Sequence, residues 1–135
     1  MFNIKTMTIK NFLVINFTGK NDCLAIKFND NFFIEKFQDK VNNSDNLLEN
    51  ILNFLKKKDI KIDKNFSVLV NQGPGSYTSL RVSIAVAKGI QLAKEIKIFG
   101  FRNDQISVFN LENIELLIKS KSLENKLIKP FYGLN

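Results

Sequence analysis

The sequence predicts an α/β fold with a mixed five-stranded sheet and two crossover helices. Three observations support this prediction. Short runs rich in Phe, Ile and Val open the chain and are separated by turn-forming residues. Two longer segments then carry apolar residues at helical spacing. Each of these segments is followed by another apolar run, so the later strands are expected to pair in parallel through right-handed crossovers.

The first half of the fold is predicted as a meander followed by a helix. Strands are expected at residues 12–17, 23–28 and 32–37, and the short turns between them favour antiparallel pairing. Residues 1–10 form either an extra strand or a loose extension. A helix is predicted from about residue 45 to residue 57, with one apolar face made of Leu47, Leu48, Ile51, Leu52 and Leu55.

The second half continues with a strand at residues 66–71, a helix at 78–94 and a strand at 97–101. The second helix is apolar around most of its circumference, which predicts burial against the sheet and also against another helix or a partner chain. Asn103 can start a short helix. Residues 111–126 mix apolar and charged side chains without a clear period, so no element is predicted there.

Composition narrows the chemistry that this chain can perform. The 135 residues include no histidine and one cysteine, Cys23, which excludes histidine-based acid–base catalysis and an internal disulfide. We expect no metal site, no cofactor and no catalytic residue, and a reducing cytoplasmic location without a membrane span. The net charge of +7 is compatible with an RNA partner, although the lysines are scattered along the chain.

The stretch from Gln72 to Arg81 is the most informative part of the sequence. Gly73, Pro74 and Gly75 predict a tight turn between a strand and a helix, and Ser76 or Thr78 can cap that helix. A phosphate-binding Walker A loop is not predicted, because no lysine follows the second glycine. Ser76 is also not a candidate nucleophile, since the chain has no histidine to activate it.

This motif resembles the signature of the TsaB (YeaZ) family, whose members assist the threonylcarbamoyladenosine (t6A) modification of tRNA. Tyr77 stands where the family has phenylalanine and Ser79 where glycine is usual, and Ala87, Lys88 and Gly89 match the Ala-Lys-Gly of the family's following helix. The motif turn comprises Gly73, Pro74, Gly75, Ser76, Tyr77, Thr78, Leu80 and Arg81, and all of these except Tyr77 match the family pattern. The resemblance implies one lobe of an actin-like, ribonuclease H-like fold, with residues 1–105 as that lobe and residues 106–135 as a shortened remnant of the second lobe.

Two departures from the family pattern bear on nucleotide binding. Asn16 occupies the place of an aspartate on the first strand, and a neutral amide offers Mg²⁺ no anionic oxygen. The second lobe is expected to be too small to close a nucleotide cleft. We therefore expect that the chain does not bind ATP.

The resemblance implies a non-catalytic subunit that binds a TsaD-like catalytic partner, with a TsaE-like ATPase in the assembled complex and tRNA contacted indirectly. A homodimer is implied in the absence of the partner. The expected interface residues on the two helices are Leu47, Ile51, Val82, Ala85, Val86 and Gly89. Two alternatives remain open: a small basic tRNA-binding domain, and a degenerate nucleotide-binding or peptidase M22-like (glycoprotease-like) enzyme.

Overall fold

The computed structural model describes residues 9–38 and 43–132. Within these ranges the chain forms one five-stranded sheet with helices on both faces. The strands are β1 (Asn11–Asn16), β2 (Cys23–Phe28), β3 (Asn31–Lys36), β4 (Phe66–Asn71) and β5 (Lys97–Phe101). The helices are α1 (Leu47–Lys57), α2 (Tyr77–Lys94) and α3 (Leu111–Lys119). The predicted fold class, an α/β fold with a mixed five-stranded sheet, is confirmed.

The strand order across the sheet is β3-β2-β1-β4-β5. The β1–β2 and β2–β3 pairs are antiparallel, whereas β4 lies parallel to both β1 and β5. Asn29 and Asp30 join β2 to β3 with φ values of 50° and 68°. Such positive φ angles are typical of the two-residue turns whose twist matches that of a hairpin. Parallel strands need longer connections, which α1 and α2 supply.

One face of the sheet carries the larger hydrophobic core, and α1 and α2 cover it. Helix α1 buries four apolar side chains there, namely Leu47, Ile51, Phe54 and Leu55. Helix α2 buries Leu80, Ile84 and Ala87. The hydroxyl of Ser83 lies among them and donates a 3.1 Å hydrogen bond to the carbonyl of Phe17. This buried polar group is therefore paired within the core.

The opposite face of the sheet is covered by α3, which the sequence did not predict. Ile114 and Leu117 of α3 are buried with Phe12, Leu69 and Phe99 in a second core. Asn110 caps the helix, because its side chain accepts a 2.8 Å hydrogen bond from the backbone N–H of Asn113. Leu111, Ile114, Leu117 and Ile118 recur at helical spacing and all contact this core. The period was missed because the helix has only nine residues and residues 120–126, which were considered with it, are not helical.

The remaining differences from the prediction concern boundaries. β1 and β3 each begin and end one residue earlier than predicted, and α1 begins at Leu47 because Asn43–Asn46 forms a 3₁₀ turn. Most of residues 1–10, for which an extra strand or a loose extension was predicted, lie outside the described residues. The division at residue 105 into a lobe and a remnant stays a prediction. Within residues 9–38 and 43–132, no helix is long and apolar enough to cross a membrane.

Candidate functional site

The predicted glycine-rich turn connects β4 to α2 and is held by contacts from two other parts of the chain. Ser76 caps α2, and its hydroxyl oxygen accepts a hydrogen bond of 3.3 Å from the backbone N–H of Ser79. This confirms Ser76 as the cap, whereas Thr78 lies inside the helix. The backbone N–H of Ser76 donates a 2.8 Å hydrogen bond to the carbonyl of Thr18, in the turn that follows β1. The motif is therefore joined to the β1–β2 turn.

Both glycines of the turn are required by close backbone approaches. Gly73 has a φ of 109°, and a Cβ atom there would lie 2.5 Å from the carbonyl oxygen of Phe131. A Cβ atom on Gly75 would lie 2.6 Å from the carbonyl oxygen of Thr18. Contacts this short do not occur for real side chains, so neither position accepts another residue without a backbone shift. The peptide bond between Gly73 and Pro74 is cis.

The C-terminal tail runs over this turn, a contact that the sequence did not reveal. The backbone N–H of Phe131 donates a 2.7 Å hydrogen bond to the carbonyl of Gln72. The amide of Gln72, a residue that is only 1% exposed, donates a 2.9 Å hydrogen bond to the carbonyl of Lys129. Ile128 of the same tail is buried in the larger core. The tail is thus an integral part of the motif's structure.

Three asparagine side chains meet where β1, β4 and β5 end. The amide nitrogen of Asn71 donates 2.7 Å hydrogen bonds to the side-chain oxygens of both Asn16 and Asn103. The side-chain oxygen of Asn71 in turn accepts a 2.8 Å bond from the backbone N–H of Gly73. Asn103 donates to the carbonyl of Pro74 at 2.5 Å. Asn16, the amide at the position where an acid was expected, therefore belongs to a network of neutral side chains that orders the turn.

A cavity of about 550 Å³ opens beside these asparagines, at the carboxyl ends of the parallel strands. Ligands of open α/β sheets bind in this place. Its buried carboxylate, Asp22, accepts hydrogen bonds from the backbone N–H groups of Thr18 and Gly19 at 3.1 and 2.9 Å, and another from Asn43 at 3.2 Å. Asp22 therefore shapes the β1–β2 turn. Among the described residues no group of three or more acidic or cysteine side chains could hold a metal ion.

We predict that the purified chain does not bind Mg-ATP with micromolar affinity. The side chain of Asn16 carries no charge, and its oxygen is already engaged by Asn71. The carboxylate of Asp22 is committed to the turn, so neither residue offers Mg²⁺ a free anionic oxygen. Isothermal titration calorimetry at 25 °C checks this prediction. Saturable binding at one site per chain with a Kd near 1 μM, about −8 kcal/mol, would contradict it.

Cys23 lies in β2 and is only 3% exposed, at the edge of the cavity beside the polar side chains of Asn16 and Asp22. Burial raises the pKa of its thiol to about 11, although a hydrogen bond from Asn16 acts in the opposite direction. A thiol in this state is not a candidate nucleophile, because reactive cysteines have lowered pKa values and accessible sulfur atoms.

We predict that Cys23 reacts slowly with Ellman's reagent at pH 8. A rise in pKa from 9.0 to about 11 lowers the thiolate fraction of the folded chain about 100-fold at this pH, and burial slows the reaction further. The comparison is the same chain unfolded in guanidinium chloride, where the thiol is accessible. Equal rates for the folded and the unfolded chain would contradict the prediction.

Comparison with known proteins agrees with the geometry of the motif. The family model described as TsaD, tRNA N6-adenosine threonylcarbamoyltransferase, matches residues 40–110, which is just over half of the chain and includes the whole turn. The chain belongs to this family. No curated protein is significantly similar to it in sequence. It is accordingly a divergent member.

Solved structures place the TsaD-family chain in one lobe of an actin-like fold. YeaZ from Pseudomonas aeruginosa superposes with a TM-score of 0.62 at 15% identity, over 70% of this chain and 44% of that chain. A protein described as uncharacterized, with similarity to peptidase YEAZ from Pseudomonas aeruginosa, superposes with a TM-score of 0.60 and the same identity and coverage. The chain thus spans less than half the length of these structures. The predicted single actin-like lobe is confirmed.

The predicted interface residues occupy three kinds of position in this TsaD-family chain. Leu47 and Ile51 are each 1% exposed and belong to the core beneath α1. That they contact a partner stays a prediction. Val82 and Val86 are half-buried against the same core. Ala85 and Gly89 are exposed on α2. That these two residues contact a partner stays a prediction.

The apolar residues that α1 exposes to solvent come directly after Leu47 and Ile51 in the sequence. Leu48 is 51% exposed and Leu52 is 56% exposed, while Leu92 of α2 is 82% exposed. We refer to these exposed residues of α1 and α2, together with Ala85 and Gly89, as the outer helix surface. The sequence placed Leu48 and Leu52 on the apolar face but could not assign them to its solvent side, because that face is wider than the strip that the sheet covers.

Proposed function

We propose that this chain is a non-catalytic accessory subunit that binds a TsaD-like catalytic partner in the t6A modification of tRNA. The observation that carries the proposal is the outer helix surface, which exposes Leu48, Leu52 and Leu92 on a lobe with the fold of YeaZ. Isolated exposed leucines are ordinary on protein surfaces, but several on two neighbouring helices indicate a contact surface.

The sheet end supports a non-catalytic role. The side chains that meet at the ends of β1, β4 and β5 are the amides of Asn16, Asn71 and Asn103, which carry no charge for acid–base chemistry. The neighbouring acid, Asp22, accepts hydrogen bonds on both carboxylate oxygens from the β1–β2 turn and from Asn43. These contacts favour a scaffold over the alternative of a degenerate nucleotide-binding or peptidase-like enzyme.

The same surface is proposed to serve in self-association. An apolar patch on one copy can pair with its equivalent on a second copy across a two-fold axis. We therefore propose a homodimer of the isolated cytoplasmic chain that gives way to the complex with the TsaD-like subunit. A TsaE-like ATPase and tRNA would join through that complex.

The test is to mix the purified chain with the TsaD-like subunit of the same cell and measure mass by light scattering after size exclusion. The proposal expects a dimer of the chain alone and a mixed complex after addition of the catalytic subunit. Reconstituted t6A formation should then require the chain. Absence of any mixed complex at 50 μM of each protein would overturn the proposed function.

A further inference from the structure

The two arginines and the two tyrosines of this chain, although distant in sequence, lie together on one surface. Arg81 and Arg102 are the arginines, and Tyr77 and Tyr132 are the tyrosines. The tyrosine rings stack with centroids 4.8 Å apart. The guanidinium of Arg81 lies 5.0 Å from the ring centre of Tyr77, and that of Arg102 lies 5.7 Å from the ring centre of Phe131. We call these five residues the aromatic–arginine patch.

The rings of the patch are exposed to a degree that tail anchoring does not explain. Tyr77 is 58% exposed, Tyr132 is 42% exposed and Phe131 is 36% exposed. The tail is already held by its backbone hydrogen bonds to Gln72, which do not involve the rings. An aromatic side chain whose role was only to anchor the tail would bury its ring. Tyr77 and Tyr132 cover one face of each other's ring, and the three aromatic residues otherwise remain partly open to a ligand beside two guanidinium groups.

We propose that the aromatic–arginine patch binds unpaired nucleotides of single-stranded RNA. Nucleobases stack on exposed aromatic rings, and a guanidinium presents several N–H donors to a phosphate. The guanidinium of Arg81 donates one hydrogen bond to the hydroxyl of Tyr77, which leaves its other N–H groups for a phosphate. The choice of RNA over DNA rests on the proposed function in tRNA modification. The stacking itself is a property of this chain and does not need the catalytic subunit.

Charge and size favour RNA over a protein as the occupant. The chain carries a net charge of +7, which is opposite in sign to the phosphates of RNA. Within the patch, Arg102 forms an ion pair of 3.7 Å with the exposed Asp104. Lys129, next to the patch in the tail, adds another cation. A patch of five residues is smaller than a stable protein interface, which engages about 20–30 residues on each side. One or two unpaired nucleotides match its size.

Fluorescence polarisation of a labelled eight-nucleotide single-stranded RNA tests the proposal with the isolated chain at 0.1 M salt. Tyr132→Leu removes one stacking ring, and we expect the Kd to rise about 5- to 100-fold. Tyr132→Phe keeps the ring and should change the Kd by less than about twofold. Arg81→Gln lies on an exposed helix face and should weaken binding about fivefold or more without affecting folding.

Lys56→Gln is the matched control, because it removes one positive charge at the C-terminal end of α1, far from the N-terminal end of α2. Thermal unfolding of each variant shows that the fold is retained. If Arg81→Gln and Lys56→Gln raise the Kd for the RNA equally, the effect is general charge attraction and the proposal is overturned. Equal affinity for an RNA duplex, or no RNA binding at 100 μM chain, would also overturn it. If the variants of the patch still bind RNA but no longer bind the TsaD-like subunit, the patch is a protein contact instead.

Discussion

Replacement of Gly73 by alanine is expected to lower the free energy of unfolding by about 2–6 kcal/mol. Alanine at a φ of 109° adopts a backbone conformation that costs about 1–3 kcal/mol for residues other than glycine. Its methyl group would also lie 2.5 Å from the carbonyl oxygen of Phe131 and 2.8 Å from the side chain of Leu80. Relief of such overpacking costs about 1–3 kcal/mol more. The tail and the motif turn should loosen together.

Gly89→Ala is the control, since a Cβ atom there meets nothing within 4 Å and its position is in an exposed helix interior. This variant should be more stable than the wild type by about 0.5–1 kcal/mol. Urea unfolding monitored by circular dichroism, with all proteins at one concentration, measures both changes. A Gly73→Ala variant within 0.5 kcal/mol of the wild type would show that the contact between tail and turn is not a structural requirement.

Leu52→Glu and Ala85→Glu are each expected to weaken the complex with the TsaD-like subunit at least about 100-fold. Leu52 is 56% exposed and Ala85 lies on the exposed side of α2, so neither replacement disturbs the core. A carboxylate enclosed in an apolar interface costs several kcal/mol because it loses its water without gaining a partner. The same variants should convert the proposed homodimer to a monomer.

Leu116→Glu provides the control for these variants, because Leu116 is 59% exposed but belongs to α3 on the other face of the sheet. Val82 and Val86 are less suitable positions, since both are half-buried and a charge there would also destabilise the fold. Light scattering measures self-association, and biolayer interferometry measures binding to the partner. If Leu116→Glu weakens binding as much as Leu52→Glu does, the interface is not the outer helix surface.

The elements predicted from the sequence agree with the structure where neighbouring residues decide the local fold. The strands alternate or run apolar over five or six residues, and Ser76 precedes a helical segment, so each element is specified within its own segment. The prediction failed where a short segment depends on its surroundings. Helix α3 has only nine residues and is followed by a non-helical segment that hides its spacing, and the assignment of Leu47 rather than Leu48 to the core depends on where the sheet lies.

The sequence by itself therefore determined the order of the five strands and of α1 and α2 along the chain, the glycine-rich turn with its cap, and the neutral residue at the end of β1. The tertiary structure alone decided what surrounds that turn. Asn71 meets Asn16 and Asn103 across 55 and 32 residues, and Gln72 holds the tail across 57. The tertiary structure also places the rings of Tyr77 and Tyr132 in contact. Such contacts leave no periodic signal in the sequence, because they depend on the parallel pairing of distant strands and not on the preferences of adjacent residues.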